Sequence, residues 1–243
     1  MFQGHTAAGR LVAHATAGRM AVIPRLEGVA VLHIPDGFLD TRTWVGTAVI
    51  SAATLGYGLR VTRRRLDDRQ IPFMGVMAAF IFAAQMINFP IIGGTSGHLL
   101  GGVLAAILLG PWTASMVITA ILAVQALFFG DGGITALGAN VLNMAIIANF
   151  LGYYLYRLLA GAAGSGVRRW LATFVAAWAS VVGGAAAAAV ELALAGTVPL
   201  AVGLPAMLFW HAFIGLGEGV ITAAVLAYLA RVRPDLEASD LKV

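Results

Sequence analysis

The sequence has no cysteine and few charges: only 11% of its 243 residues are Asp, Glu, Lys or Arg. Without cysteine there is no disulfide and no thiolate metal site, so any metal must be held by nitrogen or oxygen. A soluble globular domain carries about a quarter charged residues. With 60% hydrophobic residues and a mean hydropathy of +0.90, the chain instead reads as an integral membrane protein with the bilayer as its solvent. Its length suits six or seven spans with short loops and leaves no room for a separate soluble domain. The phosphate-binding pattern G-x-x-x-x-G-K-[ST] is also missing, so a partner must hydrolyse ATP if transport needs it. The pI near 10.0 does not call for nucleic acid, because the arginines lie in short clusters at the ends of apolar segments.

Apolar runs lie at 43–60, 71–90, 98–109, 112–129, 137–160, 170–195 and 203–230. Six have the length of about 17–25 residues that a span needs. The third is short and ends at Gly110-Pro111, a turn or a kink. Charge placement chooses between these. Arg60, Arg63, Arg64, Arg65 and Arg69 follow the first run, Arg157, Arg168 and Arg169 bracket the end of the fifth, and Arg231, Arg233 and Lys242 follow the seventh. Seven spans put all of these on one side, as the positive-inside rule requires, with the N-terminus out and the C-terminus in. Reading 98–129 as one helix gives six spans and sends the last cluster across the membrane. The expectation is therefore an all-α, seven-span bundle in the plasma membrane. Its outer face is made of residues up to about 42, 91–97, 130–136 and 196–202. The many small residues, including Ala185–Ala189 and Gly215-x-x-x-Gly219, read as close helix packing.

His33 in HIPDG and His98 after GGTSG fall on that same outer face. Either alone reads as an ordinary polar residue at a turn or a helix start. Together, in tight Gly/Pro-shaped loops and without cysteine, they point to metal, since histidine is the commonest metal ligand. His211 and Glu218 lie inside the seventh run, seven apart and so on one helix face. A charge at mid-bilayer costs about 2.5–3.5 kcal/mol on insertion scales, so such residues face the bundle interior. They are read as a structural pair satisfied by Gln85, Asn88, Gln125, Asn140 or Asn143, or as support behind a site. Glu191, near a helix end, is read as snorkelling. Asp131, in FFGDGG, either caps the following helix or approaches the metal loops, and capping is preferred.

The stretches HIPDGFLD, NFPIIGGTSGHLLGGVLAAILLGPW, ALFFGDGGITALGANVLNM and HAFIGLGEGVIT resemble the CbiM/NikM family, from Leu32 to about Leu226. These are substrate-binding membrane (S) subunits of energy-coupling-factor importers for cobalt and nickel. The resemblance implies seven spans, no catalytic residues and no cofactor, with Co(II) or Ni(II) as cargo, and cobalt slightly favoured. It also implies a transmembrane coupling subunit, cytoplasmic ATPase subunits and a small accessory membrane subunit as partners. In the family the chain begins Met-His-Ile-Pro and four nitrogens hold the metal in a near-square plane, a geometry that suits Ni(II) or Cu(II). Carried over, the donors are the backbone nitrogen of Leu32 as initiator, the amide and imidazole of His33, and His98. Ser96, Asp131, His211 and Glu218 are candidates to stand behind them.

As written, the nitrogen of Leu32 is a peptide amide, not a free amine. Residues 1–31 lack an apolar stretch of about 7–15 residues, so they make a poor signal peptide, and they carry Arg10, Arg19 and Arg25, which resist an outer location. The expectation is that translation starts at residue 32, where a TTG codon reads as Met, and that 32–243 is a single transmembrane metal-capture domain. The alternative is that 1–31 form an outer tail, with His5 or His14 as substitute ligands. A rival from another class is a rhomboid-like intramembrane serine protease: Gly94-Thr95-Ser96-Gly97 matches G-x-S-G, with His211 as base. Against it stand the spacing around His211 and the lack of a long first outer loop.

Overall fold

The computed structural model describes residues 33–63, 70–87, 89–91, 95–161 and 166–233. In these residues the apolar runs become seven helices. They are α1 (Thr41–Arg63), α2 (Gln70–Gln85), α3 (Gly102–Leu109), α4 (Pro111–Val124), α5 (from Leu137 to Ala160), α6 (Gly166–Leu194) and α7 (Leu200–Val232). A wide, π-type turn over Gln125–Phe129 prolongs α4, and another, Val141–Ile147, interrupts α5. Three helices are long and apolar enough to cross a membrane: α4 with its extension (Pro111–Phe129), α6 and α7, while α2 is a shorter apolar helix.

The third run departs most from expectation. Its helix starts only at Gly102 and has eight residues, about 12 Å at 1.5 Å per residue, well short of a hydrocarbon core about 30 Å thick. Gly101 at φ 68° and Gly110 at φ 80° bound it, conformations that glycine adopts without the clash a Cβ would bring. The break at Gly110 makes 98–129 two helices. Residues 102–108 are buried on every side, so α3 is a half-length helix at the centre of the bundle. Its non-helical lead-in is tolerated because protein, not lipid, surrounds it. A second departure from an all-α fold is a small hairpin, β1 (Phe89–Ile91) antiparallel to β2 (Thr95–Gly97), immediately before His98.

Gly215 and Gly219 of α7 do pack closely. A Cβ on Gly215 would lie 2.9 Å from the ring of Trp178, and one on Gly219 would lie 2.7 Å from that of Phe174, both on α6. The Trp178 indole N–H donates to the Ala212 carbonyl at 3.0 Å across the same seam. Ala185, Ala188 and Ala189 are fully buried on α6.

The four segments expected on one face do meet at one end of the bundle. The Gly133 N–H donates to the Ile34 carbonyl at 2.9 Å, the Thr197 hydroxyl donates to the Phe38 carbonyl, and the His33 and His98 rings lie 4.7 Å apart between centroids.

Candidate metal centre

The segment carrying His33 is stitched onto the start of α5. Asn140 makes a two-way bond with Ile34: its side-chain oxygen accepts the Ile34 N–H at 2.8 Å, and its Nδ2 donates to the Ile34 carbonyl at 3.1 Å. The Asp36 carboxylate accepts the N–H groups of Ile134 at 3.1 Å and Thr135 at 2.7 Å, just ahead of Leu137. Asp36 thus ties down the turn ahead of α5 from a hundred residues away, and the helix start itself has no side-chain cap, from Asp131 or any other residue. The Thr135 hydroxyl, ahead of the backbone donors, holds its carboxyl below the ordinary value of 3.8. Gly133 leaves the room: a Cβ there would come within 2.4 Å of the Asp36 nitrogen.

Asp131, released from capping, turns to His33. Its Oδ1 lies 2.9 Å from His33 Nδ1. That contact fixes the tautomer, with Nδ1–H donating to the carboxylate and the lone pair on Nε2. Carboxylate–imidazole pairs of this kind orient metal-binding histidines and raise their basicity. The bond from His33 lowers the Asp131 carboxyl, against a desolvation cost. His33 is only 5% exposed, and its Nε2 is buried with no hydrogen-bond partner. A buried orphan nitrogen is costly unless something binds it.

His98 follows the hairpin and precedes α3. Its Nδ1–H donates to the Leu99 carbonyl at 3.1 Å, again leaving Nε2 with the lone pair. Burial, then the neighbouring His33, pushes its pKa down to about 4, so the ring is a neutral, ligand-competent imidazole at neutral pH. The two rings stand at 62° to each other.

The loop from His98 to Gly101 is clamped from three helices. Glu218 of α7 accepts the N–H of Leu100 at 2.7 Å and of Gly101 at 2.8 Å. Gln85 of α2 donates to the Leu100 carbonyl at 2.7 Å, and Gln125 of α4 donates to Gln85 Oε1 at 2.9 Å. Gly101 packs on Ile81, whose Cγ2 would lie 2.9 Å from a Cβ. Glu218 is therefore satisfied by backbone, not by the Asn and Gln neighbours expected from sequence. Those neighbours have other partners: Asn140 goes to Ile34, and Asn143 donates to Glu191 at 2.7 Å. Glu191 is 6% exposed and does not snorkel, because it faces α5 rather than the interface. His211 donates Nδ1–H to the Met207 carbonyl at 2.8 Å and is buried, close enough to His98 to interact electrostatically. Ser96 lies in β2, while Leu32 and Asn88 fall outside the described residues.

Sequence reasoning missed Asp36, Asn140 and Gln85 as builders of this centre. Their one signal is an amide or carboxylate placed where apolar residues dominate. Among the described residues no group of three or more His, Asp or Glu side chains could hold one ion. The side-chain nitrogens that the geometry brings together are those of the two imidazoles.

Residues 33–236 match the family model described as the cobalt uptake substrate-specific transmembrane region. The chain is similar to the fused nickel transport protein NikMN of Rhodobacter capsulatus, 40% identical over 84% of this chain and 63% of that one. It is also similar to the cobalt transport protein CbiM of Sorangium cellulosum, 35% identical over 84% of this chain and 94% of that one. The crystal structure of a truncated transition metal transporter superposes with a TM-score of 0.75 at 38% identity, covering 82% of this chain and 98% of that one.

Proposed function

The chain belongs to the CbiM family of cobalt uptake substrate-specific transmembrane proteins, and from that premise we propose that it captures Co(II) or Ni(II) at the His33–His98 pair for import. Membership of a transport family sets the protease reading with Ser96 and His211 aside. The observation that carries the proposal is the meeting of the two imidazoles, 4.7 Å apart between centroids, with His33 Nε2 orphaned between them and the bundle. The end that holds them is the outer one in this reading, because the arginine clusters gather at the opposite helix ends. The chain then crosses seven times in the plasma membrane, with α3 as a partial crossing. It delivers the ion to a coupling subunit and cytoplasmic ATPase subunits, with a small accessory membrane subunit beside them, since its own sequence holds no nucleotide-binding loop.

The remaining donors are the nitrogen of residue 32 and the amide of His33, as the family resemblance implies. This requires a free amine at residue 32, hence a working chain without residues 1–31. It also constrains the ring. Chelation through His33's own amide and imidazole closes a six-membered ring through Nδ1, while Nε2 points too far away to close one. Here Nδ1 is bonded to Asp131. A chelate of this kind gives Nδ1 to the metal and leaves Nε2–H for Asp131.

Titration of the purified protein with Co(II) and Ni(II) tests the site. His33→Ala and His98→Ala should each lose high-affinity binding, by more than the about 10–100-fold that loss of an outer partner costs. Cu(II) should bind the intact protein at least as tightly as either, by the ordering of divalent affinities. Unchanged affinity in either variant rejects the site. N-terminal sequencing of the protein from its native host should read Met-His-Ile-Pro. A metal-transporting chain that keeps residues 1–31 rejects the chelate.

A further inference from the structure

We propose that the arginine-rich end of α6 and α7 carries a binding site for an anionic phospholipid. A cavity of about 570 Å³ opens there, between the first turns of α6 and the last turns of α7. It lies at the far end of the bundle from His33 and His98, and no part of the metal centre touches it.

The cavity arises from a change in side-chain size along one seam. Around Gly215 and Gly219, the large rings of Trp178 and Phe174 fill the space between the helices. Beyond that point α7 lines the same seam with one leucine, Leu226, among the alanines Ala223, Ala227 and Ala230. Across from them α6 offers Thr173, which is buried, and Trp170, which is 39% exposed. Mostly small side chains do not close the gap, so an apolar trough remains, with Thr173 in its lining. Arg169 from α6 and Arg231 from α7 line its mouth. The Nε of Arg169 is held by the Tyr156 hydroxyl at 3.1 Å, which restricts where that guanidinium can swing.

An apolar trough under two guanidiniums is the shape of an amphiphile with an anionic head. Guanidiniums bind phosphate through paired N–H groups, and basic pockets between spans recognise anionic headgroups. Trp170 and the arginines belong to the set of residues that gathers at the membrane interface, where headgroups lie. The volume falls within the about 300–1,000 Å³ of ligand clefts, far more than a free phosphate fills. A protein segment is the weaker fit, because the apolar lining supplies almost nothing for a peptide backbone to bond.

The test is native mass spectrometry of the purified full chain, delipidated and then offered equal amounts of phosphatidylglycerol and phosphatidylcholine. The intact protein should retain the anionic lipid about thirtyfold more than the zwitterionic one, roughly what two arginines contribute near an anionic surface. The double variant Arg169→Gln, Arg231→Gln should bring that ratio close to one. Ala227→Leu, which fills the trough and leaves the charge, should lower retention of both lipids. An unchanged melting temperature in detergent reports that each variant is folded. An unchanged lipid ratio in the double variant overturns the proposal. So does inorganic phosphate displacing phosphatidylglycerol at equal concentration. Loss of a co-expressed coupling subunit from both variants, with lipid retention intact, would make the trough a protein interface and also overturn it.

Discussion

Two carboxylates hold the two histidine segments by the same chemistry in opposite surroundings. Asp36 accepts the N–H groups of Ile134 and Thr135, and Glu218 accepts those of Leu100 and Gly101. Each pins a non-helical stretch next to one imidazole, across about a hundred residues of sequence. Asp36 stands at the exposed rim, whereas Glu218 is 2% exposed in the bundle. At the rim, water can replace either partner. Inside, nothing can, and the backbone of Leu100 and Gly101 would be left with unanswered donors. The same pair of bonds is thus worth little in one place and a great deal in the other. The His98 side is where the fold commits most to a fixed geometry.

Glu218→Ala should break the comparison most severely. Each orphaned buried group costs about 1–3 kcal/mol, so the variant should lower the melting temperature in detergent and weaken metal binding along with it. Glu218→Gln, which keeps one acceptor, should recover part of both. A Glu218→Ala protein with unchanged thermal stability would show that the clamp is dispensable.

Asp131→Asn separates orientation from anchoring. It leaves both backbone clamps in place and weakens only the partner of His33 Nδ1, so metal affinity should fall about 10–100-fold with little change in melting temperature. Calorimetric titration reads the first and a thermal scan the second. An equal loss of stability would mean that Asp131 anchors the loop as well.

His211 lies two helical turns from Glu218 on the same face, yet its Nδ1–H is spent within its own helix on Met207. His211→Ala should lower stability or transport more than metal affinity. A loss of binding as large as that of His98→Ala, in a folded protein, would make His211 a ligand.

The smallest effect belongs to Asp36. Asp36→Asn should cost about 0.5–1 kcal/mol, the low end for a hydrogen bond, because the group sits in water. Its carboxyl is held below 3.8, chiefly by the Thr135 hydroxyl. A depressed folded value means the contribution is complete above the unfolded value and is lost as pH falls through the folded one. The wild type should therefore lose stability relative to Asp36→Asn only below about pH 4. A difference between the two that does not change across acid pH would remove the carboxylate from the account.

Much of the architecture was legible in the chain. The apolar runs, the break at Gly110, the small-residue seam of Gly215 and Gly219, and the shared end of His33 and His98 follow from hydropathy, glycine and arginine placement. The polar interior was not legible. Glu191 was read as snorkelling and is buried against Asn143. Asp131 was read as a cap and holds His33, while Asp36 ties down the turn before the helix. A buried amide or carboxylate announces that it needs a partner but not which one, and the partners here lie 15 to 118 positions away.

By itself the sequence determined that this chain lives in a bilayer, where its apolar helices lie and which residue types bind metal. Those properties are local: a run of apolar side chains must leave water wherever the rest of the chain goes, and an imidazole is a ligand in any fold. Only the tertiary structure decided that the third run is a buried half-helix, that the lead-in to it is clamped by Glu218 and Gln85, and that the two imidazoles meet. Those outcomes depend on which buried donor finds which acceptor. Inside a bilayer an unmet polar group costs enough that the whole bundle is arranged to answer it.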